Sequence, residues 1–216
     1  MRKLYFIILA LLPSWLKVEF LRLKGHEISR KSHIGMSWLD IKKIRMGEGS
    51  RIGSLNVFKG LREVNLECRA GIGNYNQFTA NAHYADIAGV DHAKLNLREG
   101  AVITMRHYFD CQSAIEIGKD SLVAGLGTAF FTHQKGIKTL HEAKRVDIGE
   151  RVYLGSSCVV LPGASIRGYA YIVSGSIISG NLHETHAIYS TPRAVVVKKI
   201  DDTAAYFSTP DPTGRF

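Results

Sequence analysis

The chain has 216 residues, 45% of them hydrophobic, with 28 Lys and Arg against 19 Asp and Glu, a formal charge of +9. No linker rich in Ser, Gly or Pro divides it, so one folded unit with short appendages is expected rather than two domains. Seven basic residues and two acids in the first 31 positions account for +5 of the charge; no basic run interleaved with aromatics accompanies them, which argues against a nucleic-acid partner.

In chain order, residues 4 to 12 form a nine-residue apolar run behind Arg2 and Lys3. It is too short to span a bilayer, and no small-residue cleavage site follows. Pro13 interrupts, and Leu16, Phe20 and Leu23 then recur at intervals of three and four with Lys17, Arg22 and Lys24 between them, the pattern of a basic amphipathic helix. Residues 1 to 24 are therefore predicted to lie on an anionic cytoplasmic membrane surface, to cap the open end of the main fold, or both. Cys68, Cys111 and Cys158 are odd in number and far apart, with neither CxxC spacing nor His at zinc-ligand intervals. They predict reduced, mostly packed thiols, no metal and a cytoplasmic protein, in peripheral contact with the inner membrane if the N-terminal helix binds it.

The strongest signal lies further on. Ile148, Leu154, Val160, Ile166, Ile172 and Ile178 fall at every sixth position. The same spacing occurs upstream as Met46, Ile52, Phe58 and Val64, as Leu66, Ile72 and Phe78, and as Cys111, Ile117 and Val123. Helical faces recur at 3.6 and pleated faces at 2.0, so neither explains a period of six. A coil with three flat sides does: eighteen residues make a turn, and Ile148 stacks beneath Ile166, Leu154 beneath Ile172, Val160 beneath Ile178. Each inward side chain is worth about 1.5 to 3 kcal/mol when buried, and no coil buries its own without neighbours. The fold is thus predicted as an all-β solenoid over residues 25 to 200.

Two stretches break the period. Residues 80 to 94 read as a small excursion or a degenerate coil, and residues 132 to 147 as a polar loop thrown out from the prism, where rigid scaffolds usually place chemistry. After Ile178 the hexads stop; residues 194 to 200 suggest a terminal strand or helix, and 201 to 216 a polar, poorly ordered tail.

The run IGERVYLGSSCVVLPGASI at 148 to 166 resembles the repeats of the left-handed β-helix acyltransferases. RHYFDC (106 to 111), IEIGKDSLVAG (115 to 125) and FFTH (130 to 133) are more similar to the bacterial surface-polysaccharide O-acetyltransferases of that family. The resemblance implies a left-handed parallel β-helix, a homotrimer, acetyl-CoA as co-substrate, and a sugar or lipid-linked saccharide as acceptor. It places the general base at His133, at the foot of the loop, where an imidazole would take the acceptor proton as oxygen attacks the thioester. An acid from the preceding coil often holds such a base; Asp110, 23 residues earlier, is the candidate. His107 in the same cluster is a candidate for binding sugar or phosphate, with a corner hydrogen bond as its other reading. By family position Gly155 and Ser156 supply an oxyanion amide and a cofactor contact, Tyr153 packs on the histidine ring, and Ser179 meets CoA. Gly180 stands where the family often has a basic residue, which leaves Arg193, Lys198 and Lys199 to carry the phosphate charge.

Two other readings stay open on sequence. One is a non-catalytic β-helical scaffold, although a scaffold has no need of a loop headed by His. The other is a zinc enzyme like the γ-class carbonic anhydrases, which share the prism but need paired histidines at a short fixed interval; His133 and His141 have the wrong gap, and His183 and His186 follow the last hexad.

Overall fold

The computed structural model describes residues 2 to 135 and 141 to 191. The predicted terminal element and tail, with Arg193, Lys198 and Lys199, lie outside the described residues. Short parallel strands stack into three walls around one axis, an all-β solenoid. In wall A, Leu39, Phe58, Phe78, Phe109, Phe130, Val160 and Ile178 follow one another in register. Wall B aligns Ile28, Met46, Leu66, Leu97, Ile117, Ile148 and Ile166, and wall C aligns Ile34, Ile52, Ile72, Ile103, Val123, Leu154 and Ile172. All of these side chains are buried. The three stackings expected from the hexads of 148 to 178 are present, and four phenylalanines stack in wall A with centroids 4.5, 4.7 and 4.6 Å apart.

The period of eighteen is not kept throughout. Strands Trp38–Met46 and Val57–Leu66 run unbroken around the corner from wall A to wall B, so Val64 and Leu66 both face inward two residues apart. Phe109, not Cys111, is the wall residue of its coil; Cys111 is buried in the corner just beyond it. The extra residues gather at this A–B corner, and both irregular stretches leave the prism there, with one coil, that of Phe109, between them. The first is an excursion of 3₁₀ turn (Ala82–Tyr84), short helix (Ala85–Ala88) and second 3₁₀ turn (Gly89–Asp91). The second begins and ends as an antiparallel pair, His133 opposite Ala143 and Gln134 opposite Glu142.

The C–A corner is regular. Ser37, Asn56, Asn76, His107 and Thr128 occupy equivalent places in successive coils, each accepting the backbone N–H of the next, at 2.9 to 3.2 Å. This ladder satisfies turn amides that the strands leave unpaired.

At the N-terminal end the first coil presents an open sheet edge. Helix α1 (Arg2–Leu11) packs against Trp38–Met46, and α2 (Ser14–Leu23) against the strands at 27–28 and 33–34. Polar side chains pair the edge: Ser14 Oγ accepts from the Ile34 N–H at 2.9 Å, Arg22 donates to the Ile28 carbonyl, and buried Lys17 donates to the carbonyls of Ala10, Ile34 and Gly35 at 3.1, 3.4 and 2.5 Å. Three acceptors match the three N–H of an ammonium, yet no carboxylate among the described residues pairs with it, and burial lowers the Lys17 pKa to about 8.

Candidate functional site

Asp110 ends the wall A strand Tyr108–Asp110, and alternation with inward Phe109 aims its side chain out of the prism. It is nevertheless buried, because the next coil and its arm close over it. Oδ1 accepts from Gln112 Nε2 at 2.8 Å; Oδ2 accepts from the backbone N–H of Thr132 at 3.1 Å and of His133 at 3.3 Å, and from His133 Nδ1 at 2.5 Å. A carboxylate only accepts, so Nδ1 carries the ring hydrogen and Nε2 keeps its lone pair. The backbone is fixed in the same way: Thr132 Oγ1 donates to the Asp110 carbonyl at 2.7 Å and accepts from the Ser113 N–H at 2.9 Å. Asp110 thus holds both the ring and the main chain of His133, whose side chain stays 33% exposed.

The first excursion supplies the site's outer wall. Gln112 Oε1 accepts from the Asn81 N–H at 2.7 Å, and Asn81 Oδ1 caps the 3₁₀ turn by accepting from the His83 N–H at 3.0 Å. That turn delivers Tyr84 against the imidazole of His133, ring centroids 4.6 Å apart, with His83 and His141 packed edge-on beside it. Nothing in the hexads pointed to Tyr84. The available signal was compositional: an irregular stretch that sets His83 directly before Tyr84 and adds His92 is unusual for a mere connection.

Several candidates take other places. His107 is 2% exposed in the C–A ladder, so it cannot contact a sugar or phosphate in this chain. Its Nδ1 accepts from the Thr128 N–H at 3.1 Å and its Nε2 meets Thr104 Oγ1 at 2.9 Å, while burial lowers its pKa to about 4. Tyr153 lies on wall C, across the prism from the imidazole, and stacks on Tyr171 at 4.6 Å; Tyr84 is the ring on His133. The Gly155 and Ser156 amides are already donated, to the Ile172 carbonyl at 3.0 Å and Ser174 Oγ at 3.1 Å, so neither is free for an oxyanion. Ser179 is exposed in the last coils, available to a ligand.

No family model matches the chain. It is similar to WbbJ of Escherichia coli (strain K12), provisionally named as a lipopolysaccharide biosynthesis O-acetyl transferase, with 29% identity over 107 residues. These are 42% of this chain and 53% of that protein, so the chain spans about half the length of the curated relative it matches. Among solved structures it is similar to the polysialic acid O-acetyltransferase OatWY, with a TM-score of 0.52 and 15% identity over 85% of this chain and 92% of that one. A fainter likeness, TM-score 0.37 at 13% identity over 83% and 84%, is to the polySia specific acetyltransferase NeuO. At 15% identity the likeness to OatWY speaks to the fold, a left-handed parallel β-helix.

Proposed function

We propose that this hexapeptide-repeat β-helix is an O-acetyltransferase that moves an acetyl group from acetyl-CoA to a sugar hydroxyl of a polysaccharide precursor, with His133 as general base. The observation that carries the reading is the His133–Asp110 pair, a partly exposed imidazole whose Nδ1–H is held at 2.5 Å by a buried carboxylate. The names of WbbJ and OatWY favour the same chemistry.

In this mechanism Nε2 removes the acceptor hydroxyl proton as its oxygen bonds to the thioester carbonyl carbon. The tetrahedral intermediate collapses with loss of the C–S bond, and the imidazolium returns the proton to the departing thiolate, so protons and electrons balance. Asp110 stabilises the transient imidazolium and fixes the tautomer. Tyr84, His83 and His141 form a rim suited to an acceptor sugar, in place of His107, and Tyr84 takes the place against the imidazole expected of Tyr153. Ser179, with Arg193 and Lys198, carries the proposed CoA contacts, and Gly155 and Ser156 line the donor groove without supplying the oxyanion amide.

A homotrimer is part of the proposal. Its support is a stripe of exposed apolar side chains up the C–A corner, Met36, Leu55, Tyr75, Met105 and Leu126, where wall B instead carries ion pairs such as Arg98–Glu116 and Arg145–Asp147. In such an assembly the donor groove of one protomer would serve the imidazole of the next. The test is acetyl transfer from acetyl-CoA to polysaccharide fragments, read as CoA release and acceptor mass shift, for the wild type and His133→Ala. Transfer by the wild type alone is expected; equal transfer by both would refute the mechanism.

A further inference from the structure

Helix α1 is apolar on two opposite sides, yet the fold covers only one. Phe6 and Leu9 are buried against the first coil. Leu4, Ile7, Ile8 and Leu11, spaced at three, four and seven residues, form the opposite stripe and face solvent, Leu4 at 61% and Leu11 at 68% exposure. Beyond the turn at Pro13, Trp15 adds an indole at 71% exposure. A helix that is hydrophobic all round belongs in an apolar medium on both sides.

Charge selects the medium. No acid occurs in the first 18 residues, whereas Arg2 and Lys3 open α1 and Lys24 follows α2. Two copies of this basic surface would repel one another on meeting, while anionic lipid headgroups would be attracted to it. No helix among the described residues is long and apolar enough to cross a membrane, and ten residues of α-helix reach only about 15 Å. A short apolar stripe flanked by cations and carrying a Trp is suited to the interfacial layer.

We propose that the α1–α2 cap is a docking surface for an anionic lipid bilayer, with the 4–7–8–11 stripe and Trp15 immersed and the inner stripe still sealing the prism. Lys17 joins the two roles, since its ammonium bonds the α1 carbonyl of Ala10 to the first coil and fixes the tilt at which the stripe is presented. One consequence rests on the acyl-transfer reading: Phe130, beside His133, lies four strand spacings from Leu39 of the capped end, about 19 Å along the axis, within reach of a saccharide still carried by a lipid.

Co-sedimentation of the full chain with vesicles tests the docking and needs no turnover, so its failure is distinct from failure of the chemistry. Phosphatidylcholine vesicles with and without phosphatidylglycerol are the probes. Binding to the anionic vesicles at least about 10-fold above the neutral ones, weakening as salt is added, is expected. Ile8→Glu/Leu11→Glu should lower it by about 100-fold while the melting midpoint stays put, and Arg2→Glu/Lys3→Glu, which leaves the stripe intact, should lower it as well. Failure of the wild type to pellet with anionic vesicles at low salt overturns the proposal, as does undiminished binding by both variants. A smaller oligomer for Ile8→Glu/Leu11→Glu than for the wild type would make the stripe a protein contact and overturn it too.

Discussion

The two corners that flank wall A each bury polar side chains and each contain a histidine, with opposite outcomes. At the C–A corner His107 has both ring nitrogens occupied and sits in a ladder continuing Asn56 and Asn76. At the A–B corner His133 has one nitrogen held by Asp110 and the ring one-third exposed, 33%. The difference lies in what the backbone leaves to be satisfied. A regular turn repeats the same orphan amide in every coil, and any side chain with an acceptor at that place meets it, so His107 does there what Asn does below and Thr above. A corner that throws out an arm has no such repeat. Its polar groups are free to be organised around one another, and there Asp110 gathers four donors from a single neighbouring coil and its own turn. Histidine is structural where the coil is periodic and available for chemistry where the period breaks.

The sharpest way to break this comparison is to remove each ring in turn. His133→Ala should lower kcat for acetyl transfer by about 1000-fold, within the range general base catalysis supplies, and leave the urea unfolding midpoint unchanged. His107→Leu should do the reverse, costing roughly 1 to 3 kcal/mol by orphaning the Thr128 N–H, with activity per folded molecule retained. If His107→Leu lost activity while staying folded, the division between the corners would be wrong.

Acid should discriminate them next. The folded His107 pKa of about 4 lies below the 6.5 of the unfolded chain, so between these values the unfolded state binds more protons. Stability from this residue is complete above pH 6.5 and is lost as pH falls to 4, in total about 3 kcal/mol. His107→Asn, which copies the ladder residue of the two coils below, should flatten that part of the urea midpoint against pH curve; an unchanged curve would assign the acid sensitivity elsewhere. For the other corner, Asp110→Asn keeps the shape but no longer dictates the tautomer, and about a 100-fold loss of kcat is expected in steady-state assays.

How much of this was legible differs along the same lines. The hexads of 148 to 178 predicted the walls because every coil there is eighteen residues long, so counting equals stacking. Upstream, counts of about twenty hide the stacking: Val64 faces inward two residues ahead of Leu66, the wall B residue, and Cys111 lies in the corner beyond Phe109. The ladder too was in the sequence. Ser37, Asn56, Asn76, His107 and Thr128 each stand two residues before an inward Leu or Phe, at 39, 58, 78, 109 and 130, and that pattern marks His107 as structural. By contrast, no count could bring Tyr84 to His133. The two are 49 positions apart on separate excursions, and only the shared corner joins them. His133 and Asp110 were reached through resemblance, since a gap of 23 residues does not say whether two side chains meet.

The smallest expected effect concerns that junction. Tyr84 meets the imidazole on a turn held to the site by a chain of contacts: Asp110 Oδ1 orients Gln112, Gln112 Oε1 holds the Asn81 amide, and Asn81 caps the turn that carries the ring. If this chain of contacts matters, the phenyl face is what restrains the imidazole, and the hydroxyl is dispensable. Tyr84→Phe should then keep kcat within about two-fold, whereas Tyr84→Ala should lower it by about 10-fold through loss of a ring contact worth roughly 0.5 to 1.5 kcal/mol. Gln112→Leu, which leaves Tyr84 in the sequence but frees the excursion, should reproduce the kcat of Tyr84→Ala, and combining the two should cost little more than either alone. Fully additive losses would mean that the excursion and the imidazole act independently, and that the A–B corner is two neighbouring features rather than one site.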